Sequence, residues 1–336
     1  MNQNNKPPEH YVLISEDRLL AFVAACFEKA GVEATQTAAI TRCLVNADLR
    51  GVRSHGTRSA HGYALAFERR TLNPTPDIRV VHETLSTVVV DGDGALGYQP
   101  MIRAAELAVA KARHTGVGIG LTRQIGHYGS AGHYARICQE ANCIGISMQG
   151  YRNEAFDRKI APKPSAAQSG DPPMCFAIPG GEGPGMVLDM GASIFGFYTG
   201  PEYADLFDRV PGAFFKSMGL IAVSTLLGGA LTGYTSPEAT TLQQKWQSAQ
   251  HGGMVLAIAI DQIIPEELFR AEVERYARDL AAHYAPIPGT DRVRLPGALE
   301  AERMERYRRE GIPYGEPEQQ AARALGDHFG VALPWS

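Results

Sequence analysis

Residues 116–150, "GVGIGLTRQIGHYGSAGHYARICQEANCIGISMQG", decide how this chain folds. Read by periodicity, they give a strand "VGIGLT", a polar loop "RQIGHYG", a helix "SAGHYARICQEAN" and a second strand "IGISMQG". A helix "MIRAAELAVAKARHTG" (101–116) precedes them, and strands "MVLDMGAS" and "GMVLAIAID" follow. Taken alone, this alternation predicts an α/β domain built of βαβ units.

A dinucleotide site in such a domain needs GxGxxG between a strand and the helix it feeds, so that backbone amides and the helix N-terminus meet the pyrophosphate. Here "GVGIG" (116–120) lies at a helix exit and a strand start, the reverse order, and "PGGEGPG" (179–185) lacks both the spacing and a following helix. No GxxxxGK[ST] phosphate loop occurs either. The motifs by themselves predict no nucleotide.

Toward the N-terminus, "EDRLLAFVAACFEKAG" (16–31) and "EATQTAAITRCLVNADLRG" (33–51) carry apolar residues at helical spacing. Each ends at a glycine suited to a left-handed C-cap. "STVVVDGDGALG" (86–97) reads as a strand entering a turn, since the further acidic ligands of a calcium loop are missing. A proline- and glycine-rich stretch spans 162–185, and the chain closes with amphipathic helices over 265–285 and 297–312. The run "MGLIAVSTLLGGALTG" (218–233) is short and rich in glycine and hydroxyls for a bilayer span, and is expected as a buried core helix, so no membrane partner is predicted.

Composition narrows the class. With 336 residues, 44% hydrophobic and 20% charged, the chain is an ordinary globular protein large enough for two or three domains. A net charge of −4 without a basic run predicts no nucleic-acid partner. "MNQNNKPPEHYVL" (1–13) reads as a short flexible tail and not a signal peptide, which predicts a cytoplasmic protein. Five cysteines in no CxxC pair are expected to be reduced and structural, and the six-residue spacing of His127 and His133 disfavours zinc, so no metal is expected.

"ADLRGVRSHGTR" (47–58) holds the candidate chemistry. A loop could turn Ser54 and His55 into one cleft, with His55 able to pass a proton near neutral pH. Arg58, with Arg53 nearby, could grip a carboxylate through its two-pronged donor set. The plainer reading makes Ser54 a helix cap and the arginines solvated. His127, in a glycine-flanked loop between strand and helix, is a second candidate.

Together these stretches resemble the malate/L-lactate dehydrogenase family that lacks a Rossmann domain. "ADLRGVRSHGTR" resembles its ADLRG-x-x-SHG-x-x-R signature, and residues 116–150 are similar to its N-x-NH-[FY]-G-x-AG-x-YA loop and helix. "VLDMGAS" (187–193) and "RLPGALEAERMERYRREGIP" (294–313) resemble its VLDM-x-x-S strand and LPG-x-x-E segment. The resemblance implies a mixed, mainly antiparallel sheet domain plus a helical domain built from both termini, and thus a βαβ reading mistaken about strand direction. The implied divisions are 1–80 (helical, substrate and dimerisation), 81–290 (nucleotide-binding sheet, shortened near 195–215) and 291–336 (helices returning to the first domain).

It also implies a hydride moving between NADH or NADPH and a 2-oxo acid, 2-hydroxy acid or cyclic imino acid. His55 would be the proton donor or acceptor, with Ser54 beside it and His127 lining the same site. Arg58 would hold the substrate carboxylate. Cofactor contacts are implied at Asp189, Ser193, Lys216, Gly297 and Glu300, and the assembly is implied to be a homodimer. Departures fall on the cofactor side. The family's LPLGG-x-KG loop reads "PGAFFKSMG" (211–219), where Phe214 and Phe215 add bulk that could block a phosphate, and its TNP-x-A turn reads "SGDPPMCFAIP" (169–179). They leave open a second reading, in which the cofactor is lost and the same pocket performs redox-neutral acid–base chemistry as a lyase, isomerase or cyclase.

Overall fold

The computed structural model describes residues 5–151, 170–195, 205–286 and 290–335. Helix α1 (Glu16–Lys29) starts at Ser15, whose hydroxyl accepts the Arg18 N–H. Helix α2 (Ala34–Leu49) starts at Glu33, whose carboxylate accepts the N–H groups of Thr35 and Gln36. Gly31 (φ +82°) and Gly51 (φ +72°) then let the chain leave each helix through the left-handed region. Helix α3 (Ala60–Glu68) follows.

Strand β1 (Tyr11–Ile14) pairs antiparallel with β9 (Ile312–Gly315), so the two ends of the chain meet in a small ribbon. The stretch expected as a flexible tail is therefore strand from Tyr11 onward, held by a partner some 300 residues away that no local pattern reveals. The apolar faces of the terminal helices close one core, in which Leu19, Phe22, Phe27, Leu44 and Phe67 pack with Tyr314 and Leu325. Burial of such side chains contributes roughly 1.5–3 kcal/mol each.

The second core lies around a seven-stranded sheet. In chain order its strands are β2 (Arg79–Glu83), β3 (Thr87–Asp91), β4 (Val117–Ile125), β5 (Cys143–Tyr151), β6 (Pro173–Ile178), β7 (Met186–Gly191) and β8 (His251–Ala259). Their spatial order is β2-β3-β4-β8-β5-β6-β7, and only the β3–β4 pair is parallel. Strands β4 and β5 run the same way, as a βαβ reading requires, but they do not pair. Strand β8, arriving from more than a hundred residues later, lies between them and is antiparallel to both.

Helix α4 (Tyr98–Thr115) covers β4, and α5 (Gly132–Glu140) covers β5. The glycines of "GVGIG" serve this packing. A Cβ at Gly118 would lie 1.8 Å from the Ala108 carbonyl oxygen, and one at Gly120 would lie 2.3 Å from that of Ala104. Their bare backbone lets the alanine face of α4 rest directly on the strand.

The remaining helices are α6 (Leu206–Arg209), α7 (Pro211–Gly228), α8 (Pro237–Lys245), α9 (Glu266–His283), α10 (Ala298–Glu310) and α11 (Glu316–Phe329). Helix α7 departs from the buried core helix expected of its apolar run. Phe214, Ser217, Ile221, Ser224 and Gly228 form its buried stripe, while Phe215 is 76% and Leu226 57% exposed. With apolar residues on every face, periodicity cannot say which side is covered. Together with the turn after it, this is the one described helix long and apolar enough to cross a membrane, with a mean hydropathy of 1.5 over its most apolar window. Part of the proline- and glycine-rich stretch forms β6, and residues 162–169 of it lie outside the described residues.

Candidate active site

The loop after α2 is locked before it presents any side chain. Asp48, in the last turn of α2, is buried and accepts hydrogen bonds from both the N–H (3.0 Å) and the hydroxyl of Thr57. The buried Tyr314 hydroxyl of β9 joins the same threonine. Burial pushes the Asp48 carboxyl up to about 6, against the lowering effect of the Thr57 bonds and Arg53. Gly56 permits this approach, because a Cβ there would fall 1.7 Å from Asp48 Oδ1.

Within the loop, Ser54 Oγ lies 2.9 Å from His55 Nδ1. Burial lowers the His55 pKa, and the nearby carboxylates of Asp189 and Asp171 oppose that shift. Arg58 is exposed, three residues on, and no described carboxylate pairs with it. Arg53, expected as a second substrate grip, is taken up elsewhere: it pairs with the buried Glu318 of α11 and donates to the Lys6 carbonyl at 2.8 Å. Its role is to fasten the loop to both ends of the chain.

His127 enters the same site from the end of β4. The register against β8 slips between Thr122 and Ile125, and Gln124 sits at φ +57°, a bulge that turns the following loop. The Gly97 N–H donates to the His127 carbonyl at 3.0 Å and fixes that loop against the start of α4. The His127 ring then stacks near His55, with centroids 5.9 Å apart and an interplanar angle of 19°. Its Nδ1 accepts the Gly129 N–H at 3.2 Å and lies 2.6 Å from Tyr63 Oη. Burial, then His251 and His55, push its pKa down to about 3. His133 is half-buried on α5 and is likewise pushed down to about 3, by desolvation and by Arg136 and Arg50. Among the described residues no cluster of histidine, cysteine and carboxylate side chains could hold a metal ion.

Of the residues expected to meet a cofactor, Asp189 lies on β7, the edge strand beside β6, Ser193 just past it, and Gly297 against its start. Asp189 accepts the Ser130 hydroxyl and the Gly132 N–H (3.0 Å), which ties β7 to the start of α5. At one end of the strand, the Val187 N–H donates to the Pro296 carbonyl at 2.7 Å. Gly297 there (φ +90°) leaves only 2.8 Å between a would-be Cβ and Val187. Glu300 follows in the first turn of α10 and offsets part of the lowering of Arg50, whose pKa burial and Arg136 bring to about 10.

At the other end, the Ser193 N–H donates to Asp171 at 2.7 Å, while the buried Ser193 Oγ has no partner among the described residues. The Ile194 N–H donates to Ser217 Oγ at 2.9 Å, which brings α7 against this end, while Lys216, the residue before Ser217, is exposed. Phe214 is packed on Phe195 at 4.1 Å, and Phe215 is exposed, so the bulk expected at this loop is divided between an aromatic stack and the surface.

Four residues of this site escaped the sequence reading. Asp48 sits inside the quoted motif but reads as an ordinary helix residue. Tyr63 lies on α3 with no spacing that marks it. Asp171 is hidden in "SGDPPM", and burial raises its carboxyl pKa against the opposing Ser193 N–H and His55. His251, in β8 and pushed down to about 4 by burial, reaches the His127 loop only through strand pairing.

Comparison with known proteins agrees with this fold. The model of the family described as malate/L-lactate dehydrogenase matches residues 14–198 and 202–321. A malate dehydrogenase of Pyrococcus horikoshii is 29% identical over 358 aligned residues, covering 96% of this chain and 97% of the relative. The ureidoglycolate dehydrogenase (NAD(+)) of Escherichia coli K12 is 24% identical over 89% of this chain and 91% of its own length. The solved structure of the Pyrococcus horikoshii malate dehydrogenase superposes with a TM-score of 0.80 at 26% identity, over 97% of this chain and 98% of that one. The chain belongs to the malate/L-lactate dehydrogenase family, whose named members among these relatives are dehydrogenases.

Proposed function

We propose that this dehydrogenase moves a hydride between NADH or NADPH and a small carboxylate substrate, a 2-oxo or 2-hydroxy acid or a cyclic imino acid. The observation that carries the reading is the stacked His55–His127 pair, with Ser54 on one ring and the carboxylates of Asp171 and Asp189 nearby. Malate is named for the Pyrococcus relative, which makes oxaloacetate the first substrate to try.

The residues along β7 fit a nicotinamide nucleotide. A buried serine hydroxyl such as Ser193 Oγ, without a partner among the described residues, costs roughly 1–3 kcal/mol unless something answers it. A carboxamide or ribose hydroxyl is such a partner. Ser193 and Asp189 would hold the nicotinamide end, with Lys216, Gly297 and Glu300 toward the rest of the nucleotide, and the bound cofactor supplies or accepts the hydride.

The protein's own part is orientation and the proton. Arg58 holds the substrate carboxylate, which sets the neighbouring carbonyl against His55. His55 delivers its proton to the oxygen or imine nitrogen as hydride arrives at carbon, and removes it in the reverse reaction. Ser54, bonded to Nδ1, fixes the ring so that Nε2 does this work. The single-stripe packing of α7 supports a homodimer that covers its exposed Phe215, Met218 and Leu226, a state that light scattering after size exclusion would read. Five free, buried cysteines support a reducing, cytoplasmic setting.

The test is turnover of NADH and NADPH with a panel of 2-oxo acids and cyclic imines. Oxidation of either cofactor that depends on one of these substrates supports the reading. Tight cofactor binding without turnover on any carboxylate substrate would count against it.

A further inference from the structure

Two stacked histidines cannot both be proton carriers, because a charge on one ring disfavours a charge on its neighbour. Their hydrogen bonds differ in a way that assigns the roles. His127 Nδ1 receives the Gly129 N–H, and a backbone N–H can only donate. The same nitrogen lies 2.6 Å from Tyr63 Oη. Tyr63 is half-buried beside Ser59 and Tyr98, and its hydroxyl pKa is pushed up to about 12 by burial, so it remains a phenol with a proton to give. The Gly129 contact requires a lone pair on Nδ1, and the Tyr63 phenol can donate to that same nitrogen, which leaves the ring proton for Nε2, a nitrogen no described residue engages.

We propose that Tyr63 is a positioning residue which, with the Gly129 backbone, holds His127 as a neutral imidazole carrying its proton on Nε2. His127 is then a fixed hydrogen-bond donor to the substrate's oxygen or nitrogen, and His55 is the one member of the pair that changes charge.

The charged and titratable groups around His127 agree. His55 from the loop after α2 and His251 from β8 both disfavour a positive His127. The half-buried Tyr63 from α3 and the buried Tyr98 from the start of α4 are phenols held neutral by desolvation. Asp189 and Asp171 act on His55 instead. A neutral donor aimed at a carbonyl polarises it without competing for the proton that His55 supplies. The device also explains why α3 follows so closely on the His55 loop: one short helix places Tyr63 behind His127 while its preceding turn carries Arg58.

The catalytic part of this proposal rests on the dehydrogenase reading, whereas the tautomer does not, and the experiment separates them. In protein labelled with ¹⁵N-histidine and free of substrate, the ring nitrogens are followed between about pH 5 and 8, and His127 is assigned by loss of its signals in His127→Asn. The expected result is an unprotonated Nδ1 and a protonated Nε2 that do not titrate over this window. In Tyr63→Phe the His127 nitrogens shift toward mixed tautomers or begin to titrate. For that variant kcat falls about tenfold, the equivalent of one well-aligned hydrogen bond, with the cofactor KM unchanged. A proton on Nδ1 in the wild-type protein, or titration there, overturns the assignment even if Tyr63→Phe folds poorly. Unchanged nitrogens and kcat in Tyr63→Phe overturn the role of Tyr63. Absence of turnover with the tautomer as described would sink the dehydrogenase reading alone.

Discussion

The two sides of the site are built differently. The proton-transfer side, around Ser54, His55 and His127, is held by groups from both cores: Asp48 of α2, Tyr314 of β9, Tyr63 of α3 and the Gly97 amide. The cofactor side lies on β7, an edge strand, and on α7, which touches the fold through one stripe and leaves apolar side chains exposed. Acid–base geometry tolerates little displacement, so it is fastened into the interior. A nucleotide is a large partner that contributes contacts of its own, so its side can be assembled at an edge.

If that contrast is right, the largest loss comes from removing the group that the interlocked side exists to present. His55→Ala is expected to lower kcat/KM by about 10²–10⁴-fold while the thermal midpoint stays near that of the wild type. Retained turnover would remove His55 from the mechanism, and the comparison would lose its meaning.

Acid should break the interlocked side next. The folded pKa values of His127 and His133, about 3, and of His251, about 4, lie below the ordinary 6.5. The unfolded chain therefore takes up these protons first, and the associated stability, complete above pH 6.5, is lost as pH falls below it. Asp48 works in the opposite sense, since its raised value near 6 lets the folded chain bind a proton first as pH drops toward 4. Three losses against one gain leave a net fall on the order of 2 kcal/mol per pH unit around pH 5. Urea unfolding at a series of pH values measures this slope, and a flat profile from pH 7 to 5 would mean these histidines are not held neutral.

The smallest effect sharpens the boundary between substrate and cofactor. Arg58→Lys keeps the charge but loses the two-pronged grip, and is expected to raise the substrate KM about tenfold while leaving the cofactor KM nearly unchanged. Equal rises in both would place Arg58 on the cofactor side.

How far the sequence was legible follows the same division. Helices α1 and α2, with their terminal glycines, were readable because caps and 3.6-residue periodicity are local signals. The strand–loop–helix–strand order of residues 117–151 was also correct, yet the insertion of β8 between β4 and β5 was not readable, since nothing near either strand encodes a partner so far along the chain. The same holds for the β1–β9 ribbon. Ser54, His55 and His127 stood out because each of the two stretches that hold them is short and contiguous. Arg53 stood out for the same reason and proved to be an ion-pair partner of Glu318, a residue 265 positions away. Tyr63 and Asp171 act through space on residues in other segments, so their roles appear only once the loops are folded.

Everything on the cofactor side depends on whether the edge strand forms a nicotinamide site beside the histidine pair. Titration of the purified protein with NADH and with NADPH, followed by nicotinamide fluorescence and calorimetry, tests it most directly. Saturable binding of at least one of them is expected in the micromolar range, weakened in Ser193→Val. Failure of both to bind up to millimolar concentration would contradict it.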